Sequence, residues 1–259
     1  NAFVTRGQRV FLNTGLLLAT TTPLQLMSVI AHELGHIESG HIARTQEALR
    51  AANAQAIAAF ILGAAVIAGG GDGGPAVILG GQQLAKRSIL KYSRTQETAA
   101  DLAAIRLLQN SGYSTRGLIE FLELINSQEL LMKPEKNPYL NTHPNFPERI
   151  SNLLNSTKES GDKVVSDLSD MNEAFSRMQA KIFGFVKSSS QVLRKYPESN
   201  TSIAARYART VSYYKEGRLK ASLAEINSLL LNSPADPYFL ELQGQILLGY
   251  GKISESIIA

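Results

Sequence analysis

The chain has 259 residues, enough for two compact domains with their own cores. Its 26 basic and 22 acidic residues are interspersed, for a net charge of +4 with no run of Lys and Arg, which argues against a nucleic-acid partner. Cysteine is absent, so disulfides are excluded and the redox compartment stays open. The first residue is Asn1, and no charged n-region with an apolar h-region follows, so a processed or trimmed chain with an internal start is expected.

In chain order, Ala2-Phe3-Val4 and Val10-Phe11-Leu12 flank Thr5-Arg6-Gly7-Gln8-Arg9, the pattern of a β-hairpin. Thr22-Pro23-Leu24-Gln25 then reads as a capping box with proline at the first helical position, so a helix begins there. Leu26, Met27, Val29, Ile30, Leu34 and Ile37 give that helix an apolar surface for burial. It carries His32-Glu33-Leu34-Gly35-His36, an HExxH pentapeptide. Residues four apart share a helix face, so both imidazoles can bind one zinc, and Glu33, one step round, can act as base on a water held by the same ion. The plain alternative is a buried helix with two hydrogen-bonded histidines.

Two histidines leave a tetrahedral zinc one protein ligand short. The HExxHxxGxxH solution fails in register, because the next glycine and histidine are Gly40 and His41. On a continuous helix His41 points roughly 140° away from His36, so we read it as a non-ligand, structural or exposed. The other solution is a carboxylate from a second helix. Ser93-Arg94-Thr95-Gln96 is another capping-box pattern, expected to open a helix carrying Glu97 and Asp101 on one face. One of the two acids can bind zinc while the other accepts the spare ring N–H of a ligand histidine. Alternatively both sit in a solvated first turn and favour the helix dipole. Glu120 and Glu123, on an amphipathic helix from Thr115 to Ser127, are the competing acids.

Residues 51–71 and 73–85 carry no charge. With Gly69-Gly70-Gly71-Asp72-Gly73-Gly74-Pro75 between them, they predict a helix–turn–helix insert between the two metal helices. Transmembrane insertion of this stretch is marginal, and a hairpin that covers the cleft or touches a membrane surface is the expectation. A proline- and asparagine-rich loop from Pro134 to Pro147 bears His143, with a helix from about Pro147 to Ser156 and a linker at 157–163. Beyond it, tyrosine-bearing amphipathic helices show a period of 34: Gly217 with Gly251, Leu219 with Ile253, Ser222 with Ser256. This resembles a tetratricopeptide array that ends inside its second repeat, preceded by helices at about 164–191 as a degenerate repeat; a plain helical bundle is the alternative.

His32, Glu33 and His36, then Glu97-x-x-x-Asp101, then Thr142-His143-Pro144 with Arg149, resemble the integral-membrane and periplasmic HExxH zinc metallopeptidases related to HtpX, LoiP and BepA, the last with C-terminal tetratricopeptide repeats. The Asn1-Ala2-Phe3-Val4 opening and Gly15-Leu16-Leu17 also match, and the similarity covers about residues 1–155. The resemblance implies one zinc per chain held by His32, His36 and Glu97, with Glu33 as catalytic base and Asp101 as partner of a ligand histidine. It places His143 near the metal, as a removable fourth ligand or as a donor to the tetrahedral intermediate, with Arg149 bracing its loop. A helix-capping or surface role is the plain alternative for His143.

The fold expected is therefore mainly α: a zincin-type, gluzincin-like metallopeptidase domain with a small β-hairpin or sheet at 1–156, a linker at 157–163 and a helical tetratricopeptide-like domain at 164–259. The function expected is zinc-dependent endopeptidase action on unfolded or misassembled proteins of a bacterial periplasm or envelope, with protein partners bound by the repeats and peripheral membrane contact through 51–85. A repeat-based chaperone or assembly scaffold with a latent metal site is the alternative.

Overall fold

The computed structural model of the chain describes residues 2–5, 7–131, 143–160 and 168–258, and these are mainly α-helical with one two-stranded sheet. The chain divides into two compact units, one of Asn1–Leu16 with Thr20–Ser166 and the other of Leu17–Ala19 with Asp167–Ala259.

The first unit opens with the expected hairpin. β1 (Ala2–Thr5) pairs antiparallel with β2 (Arg9–Leu12), Ala2 opposite Leu12 and Phe3 opposite Phe11, whose rings stack at 5.2 Å. Gly7 and Gln8 take positive φ (81° and 58°), the left-handed backbone that tight hairpin loops use. The short helix α1 (Thr14–Ala19) leads to α2 (Pro23–Glu38), which starts where the capping pattern predicts: the Thr22 hydroxyl accepts from the Gln25 N–H, and Pro23 occupies the first turn.

The chain then leaves α2 through Ser39 and Gly40, the latter at φ 63°, and His41 opens α3 (His41–Ala68). After the glycine-rich turn, α4 (Gly74–Asn110) returns. The expected insert is thus the far end of two long helices. One expectation is corrected here: Ser93-Arg94-Thr95-Gln96 opens no helix, because α4 passes through it unbroken. Its polar groups are used otherwise. The Thr95 hydroxyl donates back to the Lys91 carbonyl, as helix-interior threonines do, and the Gln96 amide reaches the His41 carbonyl and the Thr45 hydroxyl of α3.

Two glycines set how closely the core helices approach. A Cβ on Gly35 would lie 2.6 Å from the Ala100 carbonyl oxygen, so α2 and α4 meet backbone to backbone; one on Gly117 would lie 2.6 Å from Leu24, where α5 (Arg116–Leu131) crosses α2. Val29, Ile105, Leu118, Phe121, Leu122 and Phe146 fill the core among these helices. The last, α6 (Phe146–Ser160), runs on into the stretch expected to be a linker: residues 157–160 are helical, while 161–163 lie outside the described residues.

The second unit stacks α7 (Ser169–Val186), α8 (Ser189–Lys195), α9 (Ile203–Lys215), α10 (Leu219–Asn232), α11 (Pro237–Gly249) and α12 (Ile253–Ile258). Of the stretch expected to hold helices at about 164–191, α7 ends before Lys187-Ser188, where Ser188 and Gln191 form a capping box for α8; residues 164–167 lie outside the described residues. α7, α9 and α11 begin at 34-residue intervals, as do α10 and α12. Gly217 and Gly251 occupy equivalent turns with φ of 76° and 74°, which glycine tolerates at no steric cost. Ser222 is buried where α10 crosses α9 and donates to the Thr210 carbonyl at 2.9 Å. Tyr207, Val211, Ile226, Phe239, Leu242 and Ile246 form the core.

Candidate metal centre and active site

The close approach at Gly35 and Ala100 builds the site. It lays the His32–His36 face of α2 over the stretch of α4 that holds Glu97 and Asp101. Asn145, at φ 76°, turns the chain into α6, bringing His143 and Arg149 onto the same spot. His32, Glu33, Glu97, Asp101, His143 and Arg149 are all buried, each 5 % exposed or less. Such a density of buried ionisable groups is sustained only by mutual pairing or by a cation.

One donor atom from each of His32, His36, Glu97 and His143 lies within 4.8 Å of the other three. His32 Nε2 and His36 Nε2 are 3.0 Å apart, His143 Nδ1 is 3.0 Å from Glu97 Oε2, and Glu97 Oε2 and Oε1 lie 3.4 and 3.5 Å from the Nε2 atoms of His32 and His36. A tetrahedron with bonds of about 2.0–2.1 Å has edges of about 3.4 Å, so the four side chains fit around one metal ion. Glu33 stands beside them. Its Oε1 is buried without a hydrogen bond among the described residues, 3.5 Å from His143 Nε2.

A second layer fixes these groups. His32 Nδ1–H donates to Asp101 Oδ1 at 2.9 Å, which leaves Nε2 facing the cluster. Arg149 holds Asp101 with two parallel bonds, Nε to Oδ2 at 2.8 Å and Nη2 to Oδ1 at 2.7 Å, and its Nη1 is 2.9 Å from Glu97 Oε2. His41 stays outside the four-donor group, as expected, but its direction differs. Because the helix breaks at Gly40, its ring turns inward rather than away, is buried, and sits with Nδ1 2.9 Å from His36 Nδ1. With His36 Nε2 turned to the cluster, the Nδ1 atoms of His36 and His41 share one proton between them. The sequence signal was Ser39-Gly40, a helix end followed by a left-handed glycine, which breaks the continuous helix assumed for His41.

The ionisation states follow. Burial works against charge on His32, but hydrogen bonds to Asp101 and Glu97 outweigh it and raise its pKa to about 9. Burial and the neighbouring His32 charge lower His36 to about 2. Burial opposes charge on Glu97 and Asp101 too. His143 and His32 nonetheless hold Glu97 well below the usual carboxylate range, and Arg149 does the same for Asp101 more mildly. Glu33 is pushed the other way, upward, by burial, with His143 and His32 offsetting only part of it.

The competing acids lie elsewhere: Glu120 pairs with Arg116 at 2.8 Å and Glu123 is exposed. Residues 132–142 of the expected His143 loop lie outside the described residues.

Residues 1–157 match the model of peptidase family M48. Along 99 % of its length the chain is 27 % identical to the beta-barrel assembly-enhancing proteases of Escherichia coli O157:H7 and Yersinia pestis. Along 83 % of it the identity to a putative beta-barrel assembly-enhancing protease of Vibrio cholerae is also 27 %. The alignments cover 53 %, 53 % and 44 % of those relatives, so the chain spans about half the length of the curated relatives it matches. With an HExxH helix, a carboxylate helix packed beneath it and a family model that covers both, the chain belongs to peptidase family M48, a metallopeptidase family.

Proposed function

We propose that the chain is a zinc-dependent endopeptidase acting on unfolded or misassembled polypeptides in a bacterial envelope, with a catalytic domain at 1–156 and a tetratricopeptide-like domain from 164 that holds clients or partner proteins. The observation that carries it is the four-donor group with the buried carboxylate of Glu33 beside it, whose Oε1 accepts no hydrogen bond among the described residues. Three imidazoles and a carboxylate suit zinc, whose ligands in such sites are nitrogen and oxygen donors. His32, His36 and Glu97 are its ligands. When bound, zinc lowers the pKa of water and polarises the scissile carbonyl.

The protein's own groups do the rest. Glu33, its pKa raised by burial, accepts the proton of the attacking water and passes it to the leaving amine. Asp101 keeps the His32 proton on Nδ1, and Arg149 keeps Asp101 in place. The β-hairpin and a cavity of about 330 Å³ between its turn and His36, lined also by Gly40, Ala43 and Gln46, suit an extended substrate that pairs with a strand edge and seats one side chain.

The relatives are named for enhancing β-barrel assembly, which supports β-barrel proteins under assembly as the client class and the envelope as the location. The 34-residue spacing of helix starts supports the repeat reading of the second unit.

A second reading rests on His143. It stands among the donors, and as a fourth ligand it would complete a tetrahedral shell and leave no position for water, a resting state that would open when His143 withdraws. In the extreme case the site is latent and the chain is a chaperone or scaffold. The test is cleavage of casein by the zinc-loaded chain and by Glu33→Gln. Wild-type cleavage that a chelator stops and Glu33→Gln lowers at least about 10²–10⁴-fold supports the peptidase. Retention of unfolded casein without any cut supports the scaffold.

A further inference from the structure

The far end of the α3–α4 pair is packed inside out. Where the helices meet, the residues are mostly small: a Cβ on Gly63 would lie 2.6 Å from the Gly74 carbonyl, Gly81 sits against Ala59, and Ala52 and Ala85 are buried, while Ile78 and Ile67 pack over Gly63 and Gly74. Most of the other large apolar side chains point outward. Ile57, Phe60, Ile61, Leu62, Leu79 and Leu84 are each 59–62 % exposed. A water-soluble hairpin buries such residues between its helices; small residues at the seam and bulky apolar ones outside are the arrangement of helices packed in lipid. The outward residues also surround α3 rather than line one stripe, and a helix apolar on all sides belongs in an apolar medium. By length and composition α3 meets the requirement for a membrane-crossing helix, yet little of its apolar window is buried.

Charge marks how deep the hairpin goes. In the register set by Gly81 and Ala59, Lys86 and Arg87 come level with residues 53–54, and Lys91 comes level with Leu49, next to Arg50. These four cations and Arg94 are exposed and form a collar with one acid, Glu47, among them. Beyond the collar the sole charge is Asp72, at the turn. A carboxylate there opposes passage across a bilayer. The roughly 22 Å from residue 54 to the turn, at about 1.5 Å per residue, also exceeds the depth of one hydrocarbon leaflet.

We propose that residues 51–85 form a monotopic anchor: the hairpin lies close to the plane of one leaflet of an anionic membrane, its apolar flanks among acyl chains, Asp72 at headgroup level, and the Arg50, Lys86, Arg87 and Lys91 collar on lipid phosphates. This concerns where the protein works and not what it cuts.

The test uses the full chain and a binding readout. Since the chain has no cysteine, a single Cys introduced at Phe60, Leu79 or Asp72 can carry an environment-sensitive fluorophore. The chain floats with phosphatidylcholine–phosphatidylglycerol vesicles and only weakly with phosphatidylcholine alone. Labels at Phe60 and Leu79 shift to the blue and escape iodide quenching, while the Asp72 label stays accessible. Arg50→Gln/Lys86→Gln/Arg87→Gln, all at exposed positions, weakens binding on the order of 100-fold, from about five-fold per basic residue. No flotation with either vesicle overturns the proposal. So does flotation without any label shift, which is adsorption by charge alone. Blue shifts without lipid also overturn it: if they depend on protein concentration the occupant is a second copy, and if they need added unfolded protein it is a client.

Discussion

Arg149→Met removes the cation that lies between two buried carboxylates at nearly unchanged side-chain volume. Asp101 then loses both parallel bonds, at 2.8 and 2.7 Å, and Glu97 loses the guanidinium at 2.9 Å. Breaking a buried ion pair by deleting one partner costs about 3–5 kcal/mol, and the lower figure applies if Asp101 takes up a proton instead. In a unit of this size each kcal/mol moves the midpoint by about 2–4 °C, so the metal-free protein should melt about 6–20 °C lower than wild type. Zinc at the four-donor group neutralises Glu97 directly, so the fall should be smaller in the loaded protein. Melting by far-UV circular dichroism, with chelator and with zinc, measures both. Arg149→Lys recovers part of the loss, since an ammonium supplies charge without the two-pronged geometry. An equal fall in the two states, or a metal-free fall of under 2 °C, refutes the assignment of Arg149 as the counter-charge of the site.

Glu97→Ala should lower zinc content far more than Asp101→Ala, which removes orientation worth roughly 10–100-fold in affinity; equal zinc in wild type and Glu97→Ala points to another ligand. Gly35→Ala should also cost zinc, because its methyl meets the Ala100 carbonyl at 2.6 Å and pushes α4 with Glu97 away; unaltered affinity means that the approach is not needed. His143→Ala should raise basal and self-cleavage if the loop closes the site. A fall in cleavage at unchanged zinc content leaves only a donor role. Zinc has to displace the proton that His32 holds up to a pKa of about 9, so its affinity should climb with pH from 6 to about 9 and flatten above. A pH-independent affinity over that range contradicts the protonated His32.

The HExxH helix, its start at Thr22-Pro23 and the N-terminal hairpin were legible because each depends on local spacing: caps, alternation and i,i+4 faces. Spacing put Glu97 and Asp101 on one face, but their convergence on the HExxH helix was implied by the family resemblance. What the sequence hid was tertiary. Ser93 to Gln96 has the letters of a helix start, but α4 is already propagating there, and an interior threonine and glutamine find partners in the helix itself and in α3. His41 was placed by helical angle, which fails as soon as Gly40 breaks the helix. Gly35 looks like a filler inside HExxH, and its reason, a backbone on the far side, exists only once α4 is packed. The uncharged 51–85 segment was legible as a hairpin; which side chains its seam would bury was not.

The most direct test of the central claim is anomalous scattering from a crystal of the zinc-loaded chain, recorded on both sides of the zinc edge. One peak per chain is predicted, about 2.0–2.2 Å from His32 Nε2, His36 Nε2 and a Glu97 oxygen, with His143 completing the shell in the resting state. A loaded crystal with no peak at this cluster, or a peak there to which Glu97 contributes no ligand, would contradict it.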